Sequence, residues 1–518
     1  MKSILTHKLL IYVIPFFLGV FTSFSLPPYS FLIINFITFP FLLFFLIYNF
    51  RKSKWISFKI GWLFGFGYFI SNLYWITYSL TFDVIFEPLI PLALIIIPLF
   101  LSTFYGLGTL ICSFFKLEKN FYTILIFSII MGSIEVIRGF ILTGFPWNLI
   151  VYSWTSYLNS LQILSLIGTY SFNLISITIF LIPMVIFFDK SLKFKLITFI
   201  FLFIILVSNY YYGYQKIKID EKLYTEFKDF KIKVISPKIS INRFFQPDNE
   251  EIIIEELIEL SDPNTLNNTV FIFPEGALAG VNLKKLKSFK KKFSKNFSKT
   301  HTIIMGINTE KIIDNSSKIY NSMVILDNKL NLINEYNKIK LVPFGEFLPF
   351  EKFFKKIGLK KISYGYESFS PGNVRKLISL DKNNFNFIPL ICYEIIYSGK
   401  VNLNSVETNF IINISEDGWF GNSIGPHQHF SHSIFRAIEE GKNIIRASNN
   451  GISAYIDSNG LIIEKLESTN KGVIEINNYK NSKNTFFSKI GNKIFFYFIL
   501  FYIILFFLKL KKKEREII

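Results

Sequence analysis

Eight long apolar runs constrain this chain more than any other feature of its sequence. Each is close to the roughly 20 apolar residues that an α-helix needs to cross a bilayer. Seven of them precede a long polar interval, and the eighth follows it. The sequence therefore predicts a polytopic α-helical membrane domain of about eight transmembrane helices. The runs lie near residues 9–26, 30–50, 60–81, 88–115, 121–143, 160–188, 194–212 and 492–508.

Composition narrows the class of protein further. Hydrophobic residues make up 51% of the 518 residues, which excludes a disordered chain. Two cysteines exclude a disulfide scaffold. Because soluble domains stop growing at about 250–300 residues, a single soluble domain is excluded as well. We expect a seven-helix transmembrane domain at 1–212, an extra-cytoplasmic domain at 213–490, and a last transmembrane helix with a basic tail at 491–518.

The short loops between the runs differ in charge. Loops on one side contain Lys or Arg, whereas the alternate loops near 26–29, 82–87 and 144–159 contain neither. Basic loops of membrane proteins face the cytoplasm. The pattern predicts that both termini are cytoplasmic and that residues 213–490 lie on the opposite face. The basic residues that support this orientation are Lys2, Lys8, Arg51, Lys52, Lys54, Lys116, Lys119, Lys190, Lys193, Lys195, Lys509, Lys511, Lys512, Lys513 and Arg515.

The net charge of +19 does not by itself indicate a nucleic-acid partner. Residues 213–490 hold 38 basic and 30 acidic residues, so 38 − 30 leaves +8 in the polar interval. Most basic residues outside that interval mark the loops that we assign to the cytoplasm. We therefore expect the lipid bilayer as a partner and no nucleic acid.

The polar interval has the sequence pattern of a layered α/β domain. Short β-rich runs alternate with charged, helix-like segments, and chemistry in such domains lies at strand ends and in the loops that follow. The predicted strands are 230–236, 269–273, 301–307, 322–327, 386–393, 409–415 and 451–457. The predicted helices are 250–260, 284–293 and 430–442.

Two of the predicted strand ends carry charged side chains. Glu275 in FPEGALAG follows an apolar strand and Pro274, where a rigid and partly desolvated carboxylate would suit a general base. Taken alone, this segment favours an ordinary turn acid at a strand end. In EYNKIKLVPFGEFLPF, an ammonium at Lys338 would stabilise an oxyanion and Glu346 would orient it. Spacing alone leaves Lys338 and Lys340 as alternatives.

A third strand end carries a cysteine. Cys392 in NFIPLICYEIIY lies near the end of a strand, with Tyr393 and Glu394 directly behind it. An inert buried cysteine is the usual explanation of such a residue. The turn that follows would, however, place a backbone N–H beside the thiol and so offer an oxyanion hole to a nucleophile.

The segment 413–457 is rich in histidine, but its spacing does not favour a metal. His427 and His429 diverge on a helix, and His432 adds no compact ligand set, so packing and capping roles are expected. Trp419, on a Gly-bounded loop beside acidic residues, predicts the wall of a substrate pocket.

Together these segments resemble the nitrilase superfamily, whose sites combine Glu, Lys and Cys in that chain order. With the apolar runs, the chain is more closely similar to the membrane-embedded apolipoprotein N-acyltransferase family, bacterial inner-membrane enzymes that add the third acyl chain to lipoproteins. The resemblance implies an αββα sandwich for residues 213–490. The motifs that carry it are PEGAL, K-x-x-LVPFGE-x-x-P, CYE, WFG-x-S-x-GP-x-QHF and R-x-x-NNG.

Motif matching also implies residue roles. Glu275 matches the base and Cys392 the nucleophile, and the family's active lysine stands at the offset of Lys338, not Lys340, from VPFGE. The supporting residues implied in the same way are Glu346, Tyr393 and Glu394.

Two residues and one segment depart from the family pattern. These departures bear on loop contacts and on the preference for the acyl acceptor. Glu416 stands where the family usually has Asn, and His427 where it usually has Trp. The segment VISPKIS (234–240) replaces a more typical Gln-Gly-Asn segment.

The resemblance implies a ping-pong acyl transfer. The acyl chain of a membrane phospholipid would pass to Cys392 as a thioester, and then to the α-amine of the S-diacylglyceryl-cysteine of a diacylated apolipoprotein. Because thioester to amide is downhill, we expect no cofactor and no metal. The family implies the bacterial inner membrane, with residues 213–490 in the periplasm.

Two other functions fit parts of the sequence. A membrane-tethered, nitrilase-type amidase would use the same three residues with water as acceptor. A transporter or receptor with a ligand-binding outer domain is the second alternative, although transporters tend to carry broken helices and polar residues at mid-membrane.

Overall fold

The computed structural model describes residues 7, 9–220, 224–244, 250–278, 280–351, 368–381, 385–401, 408–481 and 483–515. They form two compact units. The helical unit comprises Met1–Thr77, Leu89–Ile219 and Thr485–Ile518, and the sheet unit comprises Tyr78–Pro88 and Asp220–Asn484. Lys2 and Lys8, which contribute to the predicted orientation, lie outside the described residues.

Each of the eight predicted apolar runs contains a helix. The helices of the helical unit are α1 (Leu10–Ser23), α2 (Asn35–Asn49), α3 (Lys54–Leu73), α4 (Ile90–Cys112), α5 (Phe121–Phe140), α6 (Leu158–Leu161), α7 (Leu164–Leu181) and α8 (Leu192–Asp220), then α13 (Phe486–Ile490) and α14 (Lys493–Arg515). Helix α8 continues past the predicted domain boundary at 212.

Five helical stretches among the described residues are long and apolar enough to cross a membrane. They are Leu32–Asn49, Glu87–Cys112, Phe121–Phe140, Leu164–Phe187 and Leu192–Asp220. Shorter apolar helices lie at Leu10–Ser23 and Lys493–Leu508. The helical unit therefore has the length and composition of a membrane domain, and the total of about eight spans stays a prediction.

Small residues allow α1 and α3 to pack with their backbones in contact. A Cβ on Gly19 would lie 1.9 Å from the carbonyl oxygen of Phe64, and a Cβ on Gly67 would lie 2.0 Å from that of Phe16. No side chain fits at either distance, so this close crossing requires glycine on both helices.

The described residues of the sheet unit form two six-stranded sheets with parallel centres. The strands are β1 (Tyr224–Glu226), β2 (Lys231–Ser236), β3 (Thr269–Ile272), β4 (Thr302–Ile313), β5 (Ser316–Leu326), β6 (Leu332–Asn337), β7 (Ile378–Leu380), β8 (Phe385–Ile391), β9 (Phe410–Glu416), β10 (Asn443–Asn449), β11 (Ser453–Ile456), β12 (Ile462–Leu466), β13 (Gly472–Ile476) and β14 (Asn478–Lys480). The first sheet has the order β13-β2-β3-β4-β5-β6 and the second β12-β11-β10-β9-β8-β7, while β1 and β14 form a separate ladder.

The two sheets face each other and carry helices on their outer faces. A Cβ on Gly306 of β4 would lie 3.0 Å from Ile414 of β9, so the sheets approach closely there. Ile254 and Leu257 belong to one buried core with Phe271 of β3. The helices are α9 (Glu250–Ser261), α10 (Leu283–Leu286), α11 (Lys290–Asn296) and α12 (Gly425–Glu440). The predicted αββα sandwich is confirmed.

All seven predicted strands are present, and the predicted helices at 250–260 and 430–442 correspond to α9 and α12. The predicted helix at 284–293 falls on helical residues throughout, with a 3-10 turn at Lys287–Phe289 between α10 and α11. Strands β1, β6, β7, β10, β12, β13 and β14 were not among the seven predicted strands. Five of these are only three to five residues long and lie at sheet edges or in the small ladder, where alternation of apolar residues is weak. Strands β6 (LINEYN) and β10 (NIIRASN) are longer, but polar residues interrupt their apolar runs.

Candidate active site

Glu275 lies directly after β3, at the end of the first sheet. Its side chain is buried and accepts hydrogen bonds on both oxygens. Oε1 accepts from Nζ of Lys338 at 3.2 Å and from Nδ2 of Asn321 at 2.6 Å. Oε2 accepts from the backbone N–H of Glu416 at 3.0 Å. A carboxylate held by this many donors has a fixed orientation.

Lys338 follows β6, and its side chain is buried beside the carboxylates of Glu275 and Glu346. Its backbone N–H donates to the carbonyl of Asn321 at 2.9 Å, and Nζ donates to Oε1 of Glu346 at 3.0 Å and to Glu275. Burial alone would lower the pKa of Lys338, but the charges of Glu275 and Glu346 raise it well above its ordinary value. The side chain is therefore an ammonium.

Lys340, the alternative lysine, has different surroundings. It is partly exposed, and its Nζ lies 5.7 Å from the centre of the Tyr397 ring. The structure thus brings Lys338, and not Lys340, to the two carboxylates.

Glu346 closes the charged cluster from the loop after β6. Its Oε2 accepts from the N–H of Val342 at 2.8 Å, which fixes the loop, and its Oε1 accepts from Lys338 and Asn321. The Oε1 atoms of Glu275 and Glu346 therefore alternate with the nitrogens of Lys338 and Asn321 in a closed ring of four hydrogen bonds. We call this set the Glu-Lys-Glu-Asn ring.

Asn321 is the member of the ring that sequence reasoning missed. It lies in β5, with a side chain that is 9% exposed, and its Nδ2 donates to Glu275 at 2.6 Å and to Glu346 at 2.7 Å. The sequence offered only a weak signal for this residue, because Asn321 is a single amide near the start of the largely apolar segment YNSMVILD.

Cys392 begins a 3-10 turn, Cys392–Ile396, immediately after β8. Its φ of +47° is in the left-handed region, which costs free energy for a residue with a Cβ and turns the side chain away from the strand direction. Burial raises the pKa of the Cys392 thiol, and the charge of Glu275 raises it further, while Lys338 opposes both. The resting side chain is therefore a neutral thiol that needs a base.

Glu394 lies two residues after Cys392 and accepts hydrogen bonds from three segments of the chain. Its carboxylate is 1% exposed and pairs with Arg375 at 2.9 Å. Because its donors come from both sides of Lys338 and from the residue before Cys392, Glu394 joins the lysine segment to the cysteine turn. The donors are the hydroxyl of Tyr336, the N–H groups of Ile339, Lys340 and Ile391, and the guanidinium of Arg375.

A second polar network lies on the other side of Cys392. Cys392, Asp417 and His429 each place a potential ligand atom within 4.8 Å of the others. However, Asp417 is bonded to His429 at 2.9 Å and to Arg446 at 2.7 Å, and Arg446 lies 3.0 Å from Nδ1 of His429. Because a guanidinium opposes a second cation, these residues suit a hydrogen-bond network better than a metal. That neither metal nor cofactor is needed stays a prediction.

The remaining predicted residues lie around this centre. Tyr393 packs edge-on against Tyr397 with ring centres 5.5 Å apart. Trp419 is partly exposed, and its ring lies 5.4 Å from that of Phe244 and 5.9 Å from that of Phe82. The rings of Trp419, Phe244 and Phe82 form one apolar cluster beside the turn that carries Asp417.

The departures from the family pattern have local partners. The carboxylate of Glu416 is fully buried, where burial raises its pKa and the charge of Arg243 partly opposes that shift. It pairs with Arg243 and accepts from Asn449 at 2.7 Å. The carbonyl of Ile239, in the VISPKIS segment, accepts from Asn449 at 2.9 Å. His427 is half-buried on α12. Their effect on acceptor preference stays a prediction.

A sandwich of this topology, with Glu, Lys and Cys following β3, β6 and β8, defines a domain of the carbon–nitrogen hydrolase (nitrilase) class, and residues 253–477 match the carbon-nitrogen hydrolase family model. Residues 18–182 match the model described as apolipoprotein N-acyltransferase N-terminal domain. The apolipoprotein N-acyltransferase of Rickettsia prowazekii is 33% identical over 455 residues, which cover 86% of this chain and 89% of the relative. The chain belongs to the apolipoprotein N-acyltransferase family.

A second relative covers most of this chain, and two solved structures are similar to about half of it. The apolipoprotein N-acyltransferase of Brucella melitensis is 28% identical over 474 residues, or 89% of this chain and 88% of the relative. An amidase from Nesterenkonia sp. AN1 has a TM-score of 0.33 and 11% identity, covering 48% of this chain and 92% of its own. A nitrilase-superfamily protein of Saccharomyces cerevisiae has a TM-score of 0.36 and 15% identity, covering 50% and 92%.

Proposed function

We propose that this protein transfers an acyl chain from a membrane phospholipid to the α-amine of the N-terminal S-diacylglyceryl-cysteine of an apolipoprotein, through a thioester on Cys392. The observation that carries the proposal is the buried Glu-Lys-Glu-Asn ring, whose charges act on a neutral thiol at the end of β8. Membership of the N-acyltransferase family and the apolar helices of the helical unit support the lipid substrates.

In the first half-reaction, Glu275 takes the proton from Sγ of Cys392, and the thiolate attacks the ester carbonyl of the phospholipid. The developing oxyanion is stabilised by the Lys338 ammonium and the backbone N–H of Tyr393. When the ester C–O bond breaks, the lysophospholipid oxygen takes the proton back from Glu275. The acyl chain remains on Cys392 as a thioester, and every proton is accounted for.

In the second half-reaction, the α-amine of the acceptor attacks the thioester carbonyl. Glu275 takes a proton from the attacking nitrogen, the C–S bond breaks, and the proton passes to the leaving Cys392 thiolate. The product is an amide, and the free enzyme is regenerated. Because an amide is more stable than a thioester, the step needs no external energy source.

Two features of the site support these roles. Lys338 carries its charge in a buried position, where an ammonium stabilises an oxyanion more strongly than it would in water. The +47° φ of Cys392 holds its side chain at the start of a 3-10 turn, and Tyr393, whose backbone N–H is the proposed oxyanion donor, is the next residue of that turn.

The test is to trap the acyl-enzyme with a phospholipid that carries a labelled acyl chain. The full chain in detergent should become labelled on Cys392, and Cys392→Ala should abolish both labelling and transfer. Cys112→Ala is the matched control, since Cys112 is the chain's other cysteine and is buried in the helical unit. Transfer by the Cys392 variant would sink the proposal.

The acceptor separates this proposal from a membrane-tethered amidase. Mass spectrometry of lipoprotein N-termini should find triacylated cysteine when the wild-type chain is present and diacylated cysteine when it is absent. Unmodified N-termini together with amide hydrolysis would favour the amidase.

We also propose that the protein lies in the bacterial inner membrane with both termini in the cytoplasm and residues 213–490 in the periplasm. The alternation of basic and non-basic loops supports this orientation. Protease added to spheroplasts should cut within 213–490 and spare a C-terminal tag. Loss of the tag while residues 213–490 stay intact would show that the orientation is the opposite of the proposed one.

A further inference from the structure

The Asn321 carboxamide lies between two buried carboxylates and donates both of its N–H bonds to them. The contacts, 2.6 Å to Glu275 and 2.7 Å to Glu346, are shorter than those that Lys338 makes to the same oxygens, at 3.2 and 3.0 Å. The backbone carbonyl of Asn321 also accepts the N–H of Lys338. One residue of β5 thus contacts every other member of the Glu-Lys-Glu-Asn ring.

The charge balance of the ring explains why an amide is useful there. Glu275 and Glu346 carry two negative charges, and Lys338 supplies one positive charge. Two carboxylates that share a site tend to take up a proton. A second cation would prevent this, but it would also make Glu275 a weaker base. A neutral double donor bonds to both carboxylates without adding charge.

The two oxygens of Glu275 are engaged unequally. Oε1 accepts from both Lys338 and Asn321, whereas Oε2 accepts within the described part of the chain from the N–H of Glu416. An ionised carboxylate oxygen has two acceptor sites. Oε1 is therefore saturated, and Oε2 retains one site for an incoming proton.

We propose that Asn321 is a positioning residue that locks Oε1 of Glu275 and so presents Oε2 to the proton of Cys392. The inference rests on the proposed role of Glu275 as the base. The charged and titratable groups near Glu275 are Lys338, Glu346 and Cys392, together with the Arg243–Glu416 pair on the neighbouring turn. Arg243 donates to the carbonyl of Gly276 at 2.9 Å and so approaches Glu275 through the backbone.

The first experiment measures the rate of acyl-enzyme formation on Cys392 against pH, using the full chain and a labelled phospholipid. Asn321→Ala removes the hydrogen bonds that hold both carboxylates, which should lower the rate and shift its pH profile. The rate at neutral pH should fall by about 100-fold, the lower end of what a positioned base is worth. The acid limb of the profile should move up by about one pH unit, which is about tenfold in rate at a fixed acidic pH.

Asn321→Asp is nearly isosteric and tests the donor instead of the side-chain volume. It places a third carboxylate against Glu275 and Glu346, so a proton should be taken up and shared. The acid limb should move further than in Asn321→Ala, and part of the lost rate should return at alkaline pH. An acid limb that stays at the wild-type position in both variants would overturn the inference.

Asn328→Ala is the matched control for a merely structural effect. Asn328 is 7% exposed, similar to Asn321, and its Nδ2 donates to the carbonyl of Phe297 at 3.0 Å, away from the ring. This variant should lose thermal stability without any shift of the pH profile.

A second measurement does not depend on phospholipid. In a Cys112→Ala background, iodoacetamide reports the reactivity of Cys392 alone. Asn321→Ala should slow alkylation at pH 7, where the thiol needs Glu275 as a base. Equal alkylation rates at pH 7 would overturn the role of Asn321. If the wild-type chain is alkylated normally but takes no acyl label, the proposed function fails while the Asn321 comparison still stands.

Discussion

The Nζ atom of Lys338 lies 3.0 Å from Oε1 of Glu346, and both side chains are buried. A buried ammonium keeps its charge only when its partners offset the loss of water. Here Glu275 shares that task, so the pKa of Lys338 is held well above its ordinary value. The lysine is therefore charged across the working pH range and is not a candidate for the proton acceptor.

Replacing Lys338 should be far more damaging than replacing Lys340. Lys338→Met removes the buried positive charge, leaves two carboxylates facing each other, and should lower kcat by about 100-fold or more, as expected for the loss of an oxyanion donor. Lys340→Met removes a partly exposed ammonium beside the Tyr397 ring and should change kcat by no more than about threefold. Steady-state acyl transfer with a fluorescent phospholipid measures both.

Lys338→Arg separates charge from geometry. It keeps the positive charge, but a planar guanidinium cannot reproduce the two contacts of Nζ in the same space. We expect it to retain the fold and to remain at least about tenfold slower than wild type. Equal losses for the two methionine variants would mean that the lysine assignment is wrong.

Some residues of the site could be predicted from the sequence alone, and others could not. Cys392 and Glu275 could be recognised as candidates because each follows an apolar strand, and strand ends are visible as a change from apolar to polar residues. Their roles as nucleophile and base were implied by motif matching, because the local pattern alone also fits an inert cysteine and an ordinary turn acid. The choice between Lys338 and Lys340 required motif matching, because the local sequence pattern cannot distinguish two lysines on the same face of a strand. Burial and the contacts to Glu346 distinguish them in the structure.

Asn321 could not be predicted from local pattern because its contacts are made at long range. It lies 46 residues from Glu275 and 25 residues from Glu346 along the chain. Its position depends on the β4–β5 register, in which it opposes Asn308, and on the β5–β6 register, in which Ser322 opposes Asn337. A slip of one residue would turn its side chain to the other face of the sheet.

Glu394 provides a second prediction, on stability as well as rate. Glu394→Gln replaces one accepting oxygen with a donor and leaves Arg375 buried without its countercharge, which typically costs about 3–5 kcal/mol. Because Glu394 joins the Lys338 segment to the Cys392 turn, kcat should fall together with the unfolding temperature. Thermal unfolding and acyl transfer, measured on the same preparation, test this.

The partners of Glu394 supply the controls. Tyr336→Phe removes one donor but keeps the Arg375–Glu394 pair, so it should cost only about 0.5–1.5 kcal/mol. The double variant Glu394→Gln with Arg375→Gln removes the uncompensated charge and should recover part of the stability lost in the single variant. Strict additivity of the two substitutions would contradict the proposed coupling.

Glu440, at the end of α12, supplies a prediction about pH. Its side chain is 1% exposed, and in the described part of the chain its Oε2 has no hydrogen-bond partner. Burial raises the pKa of Glu440 to about 8, with the charge of Glu439 adding to the shift, while Arg436, Lys442 and Arg375 oppose it. In the folded protein the carboxyl therefore stays protonated at pH 7.

The sign of the effect follows from the two states. In the unfolded chain Glu440 ionises above its ordinary pKa of 4.5, whereas in the folded chain it does so near 8. Ionisation thus favours unfolding progressively between about pH 4.5 and 8, and each unit of pKa difference is about 1.4 kcal/mol. Glu440→Gln removes this loss, so it should raise the unfolding temperature by several degrees at pH 8 and by little at pH 5. Glu259→Gln, on the exposed face of α9, should show no such pH dependence, and an equal stabilisation by Glu440→Gln at both pH values would refute the raised pKa.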